Sequence, residues 1–180
     1  MTVLISGGSK NGKTGLAQDI AVKLSGDGKR YYVATMIPYD DEDRARIGRH
    51  IAERAGLGFD TLEIGTDIAR CLDGWRNGTF LLDSVTALLA NEMFSSSQNG
   101  NADPGAFVRC RDGLLKLARC ADNAVFVTDY IYSDAIRYDA LTEQYRETLA
   151  LLDRALAEVC DTVIEMCAGN LIFHKGGIAL

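Results

Sequence analysis

A chain of 180 residues, 47% apolar and 24% charged, has the composition of a globular protein and material for one domain with a sizeable core. Its net charge of -6 excludes a general nucleic-acid binder, which needs a basic field, but not a local arginine cluster gripping one phosphorylated small molecule. No apolar run approaches the roughly 20 residues that span a bilayer, and Val3-Leu4-Ile5 is too short for the core of a signal peptide.

The five cysteines, Cys71, Cys110, Cys120, Cys160 and Cys167, are scattered, odd in number and without a Cys-x-x-Cys pair. They read as reduced, mostly buried small hydrophobes, which points to the cytoplasm and away from a disulfide frame or zinc site.

Strands and helices alternate along the chain. Thr2–Ser6 has the short apolar character of a strand covered on both faces, and a helical pattern follows over Lys13–Leu24. A second strand is expected at Arg30–Thr35, a helix at Asp41–Ala55, and a weaker edge strand at Thr61–Ile64. Thr79–Asp83 then reads as a strand and Ser84–Phe94 as a helix. The polar segment Ser95 to Gly105 reads as a surface loop within a domain, because the β-α rhythm resumes after it. Helix Gly105–Ala121, strand Ala124–Thr128 and helix Ala140–Val159 follow, and Thr162–Cys167 with Leu171–His174 closes the chain as a hairpin. This order predicts an α/β fold of three layers in one domain over 1–180: a mostly parallel sheet between helices, with a C-terminal antiparallel hairpin.

The first strand runs into Gly7-Gly8-Ser9-Lys10-Asn11-Gly12-Lys13-Thr14, a full match to G-x-x-x-x-G-K-[ST] between a strand and a helix. Gly7 and Gly12 let the backbone curl with its N–H groups inward, and the helix start adds its positive end to the same anion site. Lys13 is expected on the β- and γ-phosphates, and the Thr14 hydroxyl on Mg²⁺. Such a site also wants a carboxylate at the carboxyl end of a neighbouring strand. Asp83 and Asp129 both qualify, and Asp83 is the preferred metal partner beside Thr14. An aspartate in front of a helix can also be a simple N-cap.

In helix 41–55, Ile47, Ile51 and Ala55 follow the spacing of a buried stripe. Arg46, His50 and Arg54 form a second stripe, with Glu53 beside His50. An imidazole between two guanidinium groups is expected to stay neutral and nucleophilic, with the arginines holding an incoming phosphate. This suits a phosphoryl- or nucleotidyl-histidine, although a solvated arginine-rich face gives the same spacing. His174 reads as structural or surface-exposed.

An ordered series across nearly the whole chain resembles the bifunctional adenosylcobinamide kinase/adenosylcobinamide-phosphate guanylyltransferase family. It comprises the loop at 7–14, Tyr32-Val33-Ala34-Thr35, Asp40-Asp41-Glu42, Arg46-Ile47-x-x-His50, Thr61-x-Glu63, Leu81-Leu82-Asp83-Ser84-Val85-Thr86 and Asn91. The resemblance implies phosphorylation of the aminopropanol hydroxyl of adenosylcobinamide. It further implies GMP transfer from GTP through a guanylylated histidine, a RecA-like fold, and a homotrimer. It places catalysis on His50, Lys13 and Asp83. Nucleotide binding falls to Gly7, Gly8, Ser9, Lys10, Asn11, Gly12, Lys13 and Thr14, with Thr35, Arg46, Arg54, Glu63 and Asp83. GTP or ATP and a small corrinoid are the substrates, Mg²⁺ the cofactor, and neither nucleic acid nor membrane a partner. The second half departs from the family pattern. Asp129-Tyr130-Ile131-Tyr132 stands where Asn-Glu-Val-Gly is usual, Ala150 replaces a glycine, Asp153-Arg154 an Asn-Gln pair, and Phe59 a tryptophan. The residues also admit a small P-loop kinase with no covalent step and a nucleotide-dependent regulatory module.

Overall fold

Apolar runs of four or five residues can be buried on both sides only in a sheet with helices on each face, and the chain builds that arrangement. The computed structural model describes residues 1–74, 77–95 and 101–178, with the backbone alone for Arg46. Its strands are β1 (Thr2–Gly7), β2 (Arg30–Ala34), β3 (Asp60–Glu63), β4 (Thr79–Asp83), β5 (Asn123–Asp129), β6 (Thr162–Cys167) and β7 (Asn170–Lys175). They form one sheet in the order β3-β2-β4-β5-β1-β6-β7, parallel throughout except for the antiparallel β6–β7 hairpin. The helices are α1 (Lys13–Ser25), α2 (Asp41–Glu53), α3 (Val85–Phe94), α4 (Ala106–Cys120) and α5 (Ala140–Val159). A short 3₁₀ turn at Ile68–Leu72, which periodicity does not reveal, adds Ile68, Cys71 and Leu72 to the core.

Side-chain alternation along the strands divides the core in two. Val3, Ile5, Tyr32, Leu81, Val125 and Val127 pack with Ala17, Ile20 and Ala21 of α1. Leu4, Val33, Phe80, Leu82 and Phe126 point the other way, against leucines of α3, α4 and α5. Register brings the carboxyl ends of β1 and β5 level, Gly7 beside Asp129, and likewise β2 and β4, Ala34 beside Asp83. One edge of the sheet therefore gathers the loop after β1 and both candidate aspartates.

Helix starts are set by side-chain caps. Asp40 accepts from the Asp43 amide at 2.8 Å, and Asp139 from the amides of Leu141 and Thr142. At α3 the cap is Ser84, which accepts from Ala87 N at 3.2 Å. Asp83 is thus not a helix cap, and its carboxylate is available for other work.

The buried stripe expected on the histidine helix is a correction. α2 stops at Glu53, Ile51 is 49% exposed and Ala55 is exposed as well. The residue that anchors this helix is Arg54, only 8% exposed, because α2 is tied back to β2 and β3 through a cation and not laid on the sheet through an apolar face. Of the polar loop, residues 96–100 lie outside the described residues, and Gly105 caps α4 from the preceding turn. Cys71, Cys110 and Cys160 are buried, Cys120 and Cys167 exposed, and all five are free thiols. Among the described residues no helix is long and apolar enough to cross a membrane.

Candidate functional site

The glycines of the 7–14 loop answer to contacts that a Cβ would break. One on Gly7 would lie 2.6 Å from both Met166 O and Asn11 Nδ2. Gly12 sits at φ 93°, a left-handed conformation that costs glycine little and other residues more. Asn11 donates to Met166 O, so the C-terminal strand β6 buttresses the loop from behind. Lys13 is 5% exposed, and its ammonium donates to Gly8 O at 2.6 Å and Asp129 Oδ1 at 2.7 Å. A buried ammonium needs such anionic and carbonyl partners. Asp129 is itself held by its amide, which donates to Thr86 Oγ1 at 2.9 Å. The second candidate carboxylate is therefore the partner of the loop lysine.

Asp83 meets the other half of the loop. Its Oδ2 accepts from Thr14 Oγ1 at 2.9 Å and from the Tyr32 hydroxyl at 2.7 Å. A threonine hydroxyl and a carboxylate side by side at a phosphate cradle are the hard oxygen donors that Mg²⁺ takes together with phosphate oxygens. Among the described residues no group of three or more His, Cys, Asp and Glu could hold a metal ion by itself. Tyr32 lies 3% exposed, and burial, with Asp83 second, keeps its phenol protonated well above the ordinary tyrosine range.

These residues open into a cavity of about 1190 Å³ between the loop, the sheet edge and α2. Ser9, Lys10, Asn11, Gly12, Lys13, Thr14, His50, Arg54, Glu63 and Asp83 all line it. Thr35 does not: it is fully buried, and its hydroxyl donates to Ser84 O and accepts from Ser84 N, tying β2 to the start of α3. Arg46's side chain lies outside the described residues. The setting expected for His50, between two guanidinium groups, is also revised. Arg54 turns inward, over the Tyr32 ring at 4.2 Å and onto Thr61 Oγ1 at 3.1 Å. The neighbour of His50 Nδ1 is Glu53 Oε2, at 3.2 Å but without hydrogen-bond alignment. Further arginines at the cavity are Arg44 and Arg49. His174 is exposed and paired with Glu165, as a surface residue.

Two features escape a reading of the sequence. Tyr32 counts there only as part of a strand pattern, since nothing in its spacing shows that it reaches across to β4. Asp153 is 6% exposed under the end of β5, accepting from Thr128 Oγ1 at 3.1 Å and Tyr132 OH at 2.8 Å. Burial pushes its carboxyl up to about 7 against the pull of those two hydrogen bonds. Tyr132 and Asp153 both stand where the chain departs from the family pattern, and they contact each other.

A search of curated proteins finds no match to the chain. Among solved structures, an ATPase from the type III secretion system of pathogenic bacteria superposes with a TM-score of 0.57 at 14% identity, over 91% of this chain and 50% of that one. A second ATPase domain gives 0.56 at 12% identity, over 97% and 76%. A protein from Pyrococcus horikoshii OT3 gives 0.51 at 11%, over 97% and 86%. The chain spans half the length of the secretion ATPase, and at these identities the likeness is one of fold, that of the RecA-like P-loop NTPases. The model of the cobinamide kinase/cobinamide phosphate guanyltransferase family matches residues 3–172, nearly the whole chain and every element of the site, and the chain belongs to that family.

Proposed function

We propose that this chain phosphorylates the hydroxyl of a cobinamide-type corrinoid with a nucleoside triphosphate and then transfers GMP from GTP to the new phosphate through a guanylylated His50. The observation that carries the reading is one cavity lined together by the phosphate loop, Asp83 and His50. The same reading takes residues 1–180 as one domain, acting in the cytoplasm as a homotrimer.

In the kinase step the acceptor oxygen attacks the γ-phosphorus, the bond to the β,γ-bridging oxygen breaks, and the nucleoside diphosphate leaves with the hydroxyl proton released. The loop amides and Lys13 hold the phosphates in line and take up the charge that shifts to the leaving group. Thr14 and Asp83 would hold a magnesium ion at this point, and the ion would supply Lewis-acid neutralisation of that charge. In the nucleotidyl step an imidazole nitrogen of His50 attacks the α-phosphorus and pyrophosphate departs. An oxygen of the corrinoid phosphate then attacks the same phosphorus, the P–N bond breaks, and His50 is regenerated. Arg44 and Arg49, which line the same cavity, would steady the charge on the α-phosphate, the role first expected of Arg46 and Arg54.

A plain kinase draws on those same two arginines as a lid over the transferred phosphate. Incubation with α-labelled GTP separates the readings. An acid-labile, base-stable label on the protein, absent in His50→Ala, supports guanylyl transfer; phosphorylation of the corrinoid with no protein label establishes the plain kinase.

A further inference from the structure

Resting on the reading of Thr14 and Asp83 as the metal pair and His50 as the acceptor of GMP, we propose that Tyr32 is a positioning residue that couples the two. An unbroken series of contacts joins them. Thr14 Oγ1 and the Tyr32 hydroxyl donate to the same carboxylate oxygen of Asp83, at 2.9 and 2.7 Å. The face of the Tyr32 ring carries the Arg54 guanidinium, 4.2 Å from its centroid. Arg54 donates from Nε and Nη2 to Thr61 Oγ1 at 3.3 and 3.1 Å. Its backbone amide donates to His50 O at 3.3 Å, which closes the last turn of α2.

The chemistry at each end favours coupling over simple packing. A carboxylate that ligates a metal is aimed by an outer donor, and loss of that donor weakens the metal site. Tyr32 is the outer donor here, buried at 3% exposure with its hydroxyl 2.7 Å from Asp83 Oδ2. Phe59 meets its ring edge-on at 6.1 Å and 82°, which restrains the ring plane. On the other side, α2 is largely exposed and its described anchor is Arg54. Whatever fixes the Asp83 carboxylate therefore fixes the Tyr32 ring, and with it the end of the helix that carries His50. A tyrosine serving only to fill space would lose nothing as phenylalanine.

The test uses the full chain. GTP is titrated calorimetrically with magnesium and with EDTA, and amide hydrogen exchange of residues 41–53 is followed in both. The wild type is expected to gain affinity with magnesium and to slow exchange across 41–53. Tyr32→Phe keeps the ring beneath Arg54. It is expected to forfeit about tenfold of the magnesium-dependent gain and the protection of 41–53, with affinity in EDTA unchanged. Arg54→Met keeps the hydroxyl on Asp83 and is expected to lose the magnesium-dependent protection of 41–53. The coupling is overturned if Tyr32→Phe matches the wild type in both measurements, or loses affinity equally in magnesium and EDTA, the mark of general damage. No magnesium-dependent gain in the wild type overturns the metal-pair reading and the coupling with it. A protein label lost in His50→Ala, alongside a normal Tyr32→Phe, overturns the coupling alone.

Discussion

The ammonium of Lys13 is almost sealed from water, and its partners are the Gly8 carbonyl, the Asp129 carboxylate and, at 3.4 Å, the Asn11 side-chain oxygen. An incoming phosphate competes with Asp129 for that charge, and without the lysine the cradle loses its buried cation. Lys13→Ala is accordingly expected to weaken magnesium–GTP binding by about two orders of magnitude, the scale for losing one member of a buried charge pair. Isothermal calorimetry on the folded variant checks it. Asp153 is the opposite case, a buried carboxyl whose Oδ1 has no hydrogen-bond partner among the described residues. Its folded value, raised from 3.8 to about 7, lies above its unfolded one, so the folded state binds the extra proton between them. Stability from this group is full below about pH 4 and is lost as pH rises through about 7. Thermal melts should show the wild type losing more stability from pH 5 to pH 8 than Asp153→Asn does. Parallel pH profiles for the two proteins would contradict this.

At the scale of elements, α1 and α2 are stabilised in different ways. α1 is buried along Ala17, Ile20 and Ala21 against the sheet. α2 has a mostly polar, exposed surface and depends on its ends, with Asp40 capping one and Arg54 anchoring the other. Removing the cap by Asp40→Ala is expected to cost about 1 kcal/mol of helix stability. Because α2 adds little to the buried core, the loss should appear as faster amide exchange over 41–53 with the global melting temperature nearly constant. A large drop in melting temperature would mean that α2 is part of the main cooperative unit. The loop at 7–14 depends instead on a distant element: Gly7 and Asn11 both meet Met166 O of β6. Gly7→Ala puts a methyl against a backbone oxygen and is expected to reduce nucleotide affinity while leaving the sheet folded, as calorimetry and circular dichroism can show together.

Across the whole molecule the two core layers share the central strands, so a hole in either is felt by both. Phe126, fully buried in β5, has α-helices on its side and neighbours of the opposite layer at Val125 and Val127. Phe126→Ala is expected to cost about 3–5 kcal/mol, a large share of the roughly 5–15 kcal/mol available to a domain. Urea unfolding would read it as a lowered midpoint.

Short apolar runs, turn glycines and caps are local properties, so they mark β1, β2, β4, β5 and the long helices directly in the chain. They also fixed the identity and spacing of the loop from Gly7 to Thr14, whose chemistry is carried by consecutive residues. The partners that make those residues a site are set by contacts between segments far apart: Asp129 on Lys13, Asp83 between Thr14 and Tyr32, Met166 behind the loop. Helical spacing placed Arg54 beside His50, whereas its guanidinium turns inward over the Tyr32 ring. Periodicity records which residues share a face; only the packed chain decides what that face meets, because the attraction of a cation for a ring or a carboxylate depends on neighbours that the sequence keeps apart.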